Sequence, residues 1–173
     1  MGLDFTCVAA SDRKKSAQKF IRANHDFTHV FVDAVAHAAG TGTCVGHPSF
    51  ASCECSIGNR RSDLVIAGIP CHPFTKLRNK QGRGRSGPAE EHPDIDTIFY
   101  PFPKLLSTRR PLGFVVEETD AFLGLASSDF ADKPGMRWLD VFLSLCKSAG
   151  YECNAIVCQS GDWVNWPRSR PYL

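Results

Sequence analysis

Short apolar runs separated by longer stretches of helical spacing set the pattern of this chain. The runs at residues 5–10, 29–32, 64–69, 113–117 and 153–158 read as strands. None alternates strictly between apolar and polar positions, as is usual for strands covered on both faces of a parallel sheet. Between the first two runs, residues 13–23 set Ala17, Phe20, Ile21 and Asn24 at helical spacing, with Asp12 placed to cap the start. Residues 95–106 and 136–149 also read as helices. In the second, Trp138, Leu139, Phe142, Leu145 and Cys146 share one face and Gly150 provides the stop. Strand and helix thus alternate, which predicts an α/β fold with a mostly parallel sheet.

Two stretches break the pattern. Residues 40–61, rich in Gly, Ser, Cys and Thr, are expected to form a loop insertion. Residues 76–88 carry Lys76, Arg78, Lys80, Arg83 and Arg85 among Gly82, Gly84 and Gly87, with no acid. Such a segment cannot build a core and is expected to be a mobile basic loop. It changes the meaning of the overall charge, which is only +2 over 173 residues. Any contact with a polyanion has to come from a local patch of this kind.

Composition adds exclusions. With 43% hydrophobic and 22% charged residues the chain is of ordinary globular type, neither disordered nor fibrous. No apolar stretch approaches the ~18 residues of a membrane span, and the N-terminus lacks the order of a signal peptide. One domain, an intracellular location and no membrane partner are the expectations. Eight cysteines at irregular spacing then read as reduced thiols, several of them inside apolar runs. Cys44, His47, Cys53 and Cys55 make a tighter group, but its Cys-x-Cys pair is shorter than ordinary zinc spacing, so a polar surface loop is expected and no metal.

Cys71 differs from the others in its position. Residues 63–75 form an apolar strand ending in the turn Ile69-Pro70-Cys71-His72-Pro73-Phe74, and ligands of open parallel sheets sit beyond the carboxyl ends of strands. From this position alone, a structural cysteine and a reactive one stay equally open.

The turn resembles the Pro-Cys nucleophile motif of the DNA cytosine-5 methyltransferase family, and three further segments follow in that family's order. Pro111-Leu112-Gly113-Phe114-Val115-Val116-Glu117-Glu118-Thr119 resembles its Glu-Asn-Val motif, and Trp166-Pro167-Arg168-Ser169-Arg170 its Gln-x-Arg-x-Arg motif. The strand before Asp12 and the segment Phe31-Val32-Asp33-Ala34 resemble the cofactor-side motifs. The resemblance implies a Rossmann-like S-adenosyl-L-methionine-dependent core. It makes Cys71 the thiolate that attacks C6 of a flipped cytosine, and Glu117 the acid at N3, with Glu118 as the neighbouring candidate. Arg170 would contact O2 and Arg168 support the site. Asp12 would bind the ribose hydroxyls of S-adenosyl-L-methionine and Asp33 its adenine amine, with Ala34 and Pro70 beside the cofactor. The basic loop would close over the base and hold phosphates through Lys76, Arg78, Lys80, Arg83 and Arg85.

The departures are local and general. Ile69 stands in place of a proline, His72 of Gln, Glu118-Thr119 of Asn-Val and Trp166 of Gln. No Phe-x-Gly-x-Gly segment precedes Leu3 and the chain stops at Leu173, so residues 1–173 are expected to be a partial catalytic domain without the glycine motif and the target-recognition domain. The function expected is DNA cytosine-5 methylation by S-adenosyl-L-methionine, with DNA as partner and a nuclear site in a eukaryote. A degenerate homologue that binds nucleic acid without catalysis, a transfer RNA cytosine-5 methyltransferase, and an unrelated thiol or metal-binding α/β protein are the alternatives.

Overall fold

A computed structural model describes residues 4–46, 53–58, 61–74, 91–92, 94–126, 134–159 and 169–173, with the side chains of residues 53, 54, 98, 159 and 169–172 outside the description. The fold is α/β, as the alternation predicts. The chain divides into two compact units: Met1–Ser62 with Lys104–Arg110, and Asp63–Pro103 with Pro111–Leu173. Each has its own sheet. Among the described residues no helix is long and apolar enough to cross a membrane.

The first unit holds β1 (Ala9–Ser11), β2 (His29–Phe31), β3 (Thr41–Cys44) and β4 (Cys53–Ser56), in that order across the sheet. β1 and β2 run parallel, joined by helix α1 (Lys15–Asn24), whereas β2–β3 and β3–β4 are antiparallel. Residues 40–61, expected as a loop insertion, therefore contain two paired strands. Their small residues hide the usual apolar signal, yet Thr41-Gly42-Thr43-Cys44 pairs along its length with Cys53-Glu54-Cys55-Ser56. Phe31, Cys44 and Ile57 form the buried centre, with Val8, Ala9, Ala36 and Cys55 packed against it.

Asp12 does not cap α1 from the N-cap position, which Lys14 occupies. Its Oδ1 instead accepts the Lys14 N–H at 2.7 Å, an Asx turn that carries the chain from strand to helix. The short helix α2 (Ala34–Ala39) is capped at its start by Asp33, whose Oδ1 accepts the Ala36 N–H at 2.8 Å. It ends at Gly40, where φ is +69°. A Cβ there would overlap the Arg109 guanidinium, which fills that space and donates to Ala39 O at 3.2 Å and Gly58 O at 2.7 Å. Arg109 thus places a cation on the carbonyl end of α2.

The second unit holds β5 (Leu64–Gly68), β6 (Gly113–Glu117), β7 (Ile156–Gln159) and β8 (Ser169–Tyr172), ordered β5-β6-β8-β7. β5 and β6 are parallel, and β8 runs antiparallel to both β6 and β7. Where a mostly parallel sheet was expected, both sheets are mixed. Leu64 and Ile66 are exposed while Val65 and Ala67 are half-buried, so β5 is covered on one face only among the described residues. Residues 95–106, expected as a single helix, begin as a π-helical turn (Ile95–Phe99) before α3 (Pro101–Arg109). Pro101 and Pro103 have no N–H, so they fit the first turn of α3, where an N–H has no partner within the helix. Helix α4 (Trp138–Ser148) matches its prediction and is followed by Gly150 at φ +94°.

His37 makes the first unit sensitive to acid. Its ring stacks on Phe31 at 5.9 Å and its Nδ1 lies 3.1 Å from Ser11 Oγ. Burial, and then the charge of Arg109, lower its pKa from the ordinary 6.5 to about 4. As pH falls the unfolded chain takes up this proton before the folded one does. Stability is therefore complete above about pH 6.5 and declines toward pH 4, by roughly 3 kcal/mol across that window. Urea unfolding followed between pH 7 and pH 4 is expected to show this decline, and His37→Gln is expected to flatten it.

Candidate active site

The site assembles on the carboxyl end of the β5–β6 pair. Gly68 pairs with Glu117 in the parallel register, and the Ile69 N–H donates to Glu117 O at 3.3 Å. A Cβ at residue 68 would lie 3.7 Å from Glu117 Oε2, an ordinary contact distance, so the carboxylate lies over residue 68. On the other side Glu117 pairs with Tyr172 of β8. The acid is thus flanked by ladder partners on both sides, and its strand can shift little along its axis.

From Gly68 the chain passes through buried Ile69 and half-buried Pro70 into a tight turn, in which the Phe74 N–H donates to Cys71 O at 3.0 Å. Cys71 is half-buried and Pro73 buried. The turn is anchored by the Phe74 ring, centred 5.0 Å from Phe122, 5.1 Å from Trp138 and 6.0 Å from Phe99. Phe99 and Phe122 in turn pack on Phe142 of α4 at 5.5 and 5.7 Å. An aromatic cluster drawn from the π-helical turn, the 3-10 turn Asp120–Leu123 and α4 therefore holds the turn that carries Cys71.

Glu117 is half-buried at its strand end, while Glu118 is wholly buried, with Oε2 accepting the Thr119 N–H at 2.7 Å. The two acids stand in different environments. Glu117 is the one opposite Gly68 and nearest in register to the Cys71 turn. The β8 backbone brings Arg170 in two residues before Tyr172, and so past the carboxyl end of β6 beyond Glu117. Its side chain, all of Arg168 and the whole basic loop with Lys76, Arg78, Lys80, Arg83 and Arg85 lie outside the described residues.

Other cysteines of this unit are placed differently. Burial pushes the Cys146 thiol far up, and neighbouring Cys153 adds to it. Burial also raises the Cys153 thiol. Both stay protonated and serve packing.

The acids expected on the cofactor side sit together in the first unit. Asp12 follows β1 directly, and Asp33 lies two residues beyond Phe31, the last residue of the parallel neighbour β2. The buried Gln18 ties these strand exits to each other. Its Nε2 donates to Asp12 O at 2.6 Å and to Val32 O at 3.5 Å. Each aspartate uses Oδ1 in a local turn or cap, and a carboxylate so engaged retains acceptor capacity on its other oxygen. Ala34 opens α2 immediately after Asp33.

Neither Gly68, Phe74 nor Gln18 stood out as a functional residue in the sequence. Phe74 had a signal, the three-residue step from Cys71 that closes a turn. Gln18 had none, because its partners are backbone carbonyls of two separate strand ends.

The profile of the C-5 cytosine-specific DNA methylases matches residues 1–171. The type II methyltransferase M.NlaIV of Neisseria lactamica is 27% identical over 116 residues, which cover 64% of this chain and 24% of that protein. The matched region thus spans about a quarter of that relative's length.

The anchoring role of Phe74 is testable. Phe74→Ala is expected to destabilise the second unit by about 2–3 kcal/mol in urea unfolding. It should also speed alkylation of Cys71 by iodoacetamide under native conditions, followed by mass spectrometry, whereas Phe74→Leu should have a smaller effect on both.

Proposed function

The chain belongs to the C-5 cytosine-specific DNA methylase family, and on that premise we propose that it carries the catalytic chemistry of a DNA cytosine-5 methyltransferase. The observation that carries this reading is the parallel pairing of Gly68 with Glu117, which puts a carboxylate beside the turn bearing Cys71. Chemistry on C5 of cytosine needs a nucleophile for C6 and an acid for N3 on one rigid platform, because the ring becomes reactive only when both act together.

In this reading Cys71 Sγ adds as a thiolate to C6 of an extruded cytosine, breaking the C5–C6 double bond and making C5 nucleophilic. Glu117 holds N3 and supplies a proton as electron density moves into the ring. S-adenosyl-L-methionine, when bound, supplies the electrophilic methyl group. Asp12 and Asp33 are the residues that would hold its ribose hydroxyls and adenine amine, with Ala34 alongside. Loss of the C5 proton to a base, return of the N3 proton to Glu117 and departure of Sγ from C6 as a thiolate then restore the aromatic ring and the free nucleophile. Arg170 and Arg168 act as fixed cations against the charge developing on the base. Lys76, Arg78, Lys80, Arg83 and Arg85 hold the nucleic-acid backbone by contacts that do not read sequence. DNA is the substrate favoured, since the family profile is that of DNA methylases.

The test is a covalent trap. With S-adenosyl-L-methionine and DNA containing 5-fluorocytosine, the wild-type chain is expected to form a denaturation-resistant protein–DNA adduct mapping to Cys71, because fluorine cannot leave as a proton. Cys71→Ser should abolish the adduct, and Glu117→Gln should slow its formation at least about a hundredfold. DNA binding without any adduct in the wild type would instead identify a non-catalytic binder.

A further inference from the structure

The first unit carries a group of soft ligands that cytosine chemistry does not use. His29 lies on β2, Cys44 on β3 and Cys55 on β4, three successive strands of one sheet. Their ligand atoms, one ring nitrogen and two sulfurs, all lie within 4.8 Å of one another. Cys44 is buried, and the other two are half-buried at the edge of the Phe31 and Ile57 cluster. Donors so far apart in the chain meet only because the sheet brings them together.

A second observation concerns the sulfur of Cys44. It accepts two backbone N–H groups, from Val30 and from Gly46, each at 3.3 Å. A thiol is a weak acceptor, whereas hydrogen bonds to an ionised acceptor are roughly twice as strong as neutral ones. Two N–H dipoles directed at one sulfur suit a site where that sulfur carries negative charge. Cysteine packed simply as a small hydrophobe has no use for them.

We propose that His29, Cys44 and Cys55 form a zinc site that fastens β2, β3 and β4 to one another. Two thiolates and an imidazole are a ligand set suited to zinc. Tetrahedral zinc, with bonds of about 2.3 Å to sulfur and 2.0–2.1 Å to nitrogen, separates its ligand atoms by roughly 3.4–3.8 Å. The observed spacing needs each pair to close by no more than about 1.4 Å. Binding displaces the two thiol protons to solvent, so affinity falls as pH is lowered. The fourth corner of the tetrahedron is not assigned. Because β2 leads directly to Asp33, the metal would stiffen the strand exit that carries one of the two cofactor-side acids.

Spacing along the chain obscured this site. The cysteine and histidine group that the sequence presents is Cys44, His47, Cys53 and Cys55, whereas the histidine that the fold brings in is His29.

The full chain, purified under reducing conditions and dialysed against zinc, is expected to retain one equivalent by atomic emission. The cobalt-substituted chain is expected to show sulfur-to-cobalt charge transfer and the strong visible bands of tetrahedral cobalt. His29→Gln and Cys55→Ser, checked for native circular dichroism, should weaken zinc binding by roughly tenfold or more and lose the zinc-dependent rise in melting temperature. Cys71→Ser should bind zinc like the wild type. A wild-type chain that retains no zinc and gives no thiolate–cobalt band overturns the proposal, without the need for any variant to fold. Retention equal to wild type in both His29→Gln and Cys55→Ser overturns it as well. Neither result bears on the covalent trap, which reads Cys71 alone.

Discussion

The register of β5 against β6 governs the second unit. Parallel strands cannot be joined by a hairpin, so the link from Gly68 to Gly113 has to leave the sheet and return. On its way it supplies Phe99, on which Phe74 packs. The same excursion that makes the parallel pairing possible also builds the aromatic seat for the Cys71 turn. A shift of one residue would turn every side chain of β6 to the opposite face. Buried Val116 would then exchange places with Glu117, and the carboxylate would lose its position above Gly68. The core and the site are therefore specified by one alignment. The β8 strand reinforces it from the other side, where Val116 and Leu173 exchange both backbone hydrogen bonds at 2.9 Å.

The first unit solves a related problem with different means. Its strands are short, and although β2 ends in buried Phe31, β1 has no buried residue, so apolar burial does little to hold the exit of β1 in place. Polar groups do this instead. Gln18 bridges the two strand ends, Asp33 starts α2, and Arg109 closes its far end against Gly40. Each of these contacts satisfies backbone groups that would otherwise lack partners at a strand or helix terminus. Such an arrangement gives a defined edge from little hydrophobic area. It also makes that edge depend on charge states, as His37 shows.

The parts of this architecture that could be read from sequence are those in which one local property decides the outcome. Residues 113–117 form a strand over the bounds expected, because a short apolar run with β-branched residues suits a buried strand, and Trp138–Ser148 a helix, because apolar residues there recur at helical spacing. The strand ends that carry Cys71 and Glu117 were legible because each closes a short apolar run. The strands Thr41–Cys44 and Cys53–Ser56 were not, since pairing between short segments of small residues depends on each other and not on their own pattern. The division into two units was hidden for a similar reason. Helix α3 has a continuous helical pattern, yet its residues from Lys104 onward are grouped with Met1–Ser62 and its first turn with the other unit. Periodicity records that a helix forms, not which core each of its turns joins.

Cysteine shows why residue type alone could not settle function here. Cys146 lies fully buried on α4, where removal from water raises its thiol and keeps it neutral. Cys44 is equally buried, but two backbone N–H groups converge on its sulfur. Burial is common to both, so burial cannot be what separates a packing cysteine from a ligand. The orientation of the surrounding dipoles can, because neutral sulfur gains little from an N–H and charged sulfur gains much. Cys71 represents a third condition, half-buried in a turn next to a strand end that carries a carboxylate. There the sulfur is set by the turn that follows the strand and not by burial in the core. The three environments differ in backbone geometry before they differ in neighbouring side chains, and that geometry is set by which strands pair and where each one ends.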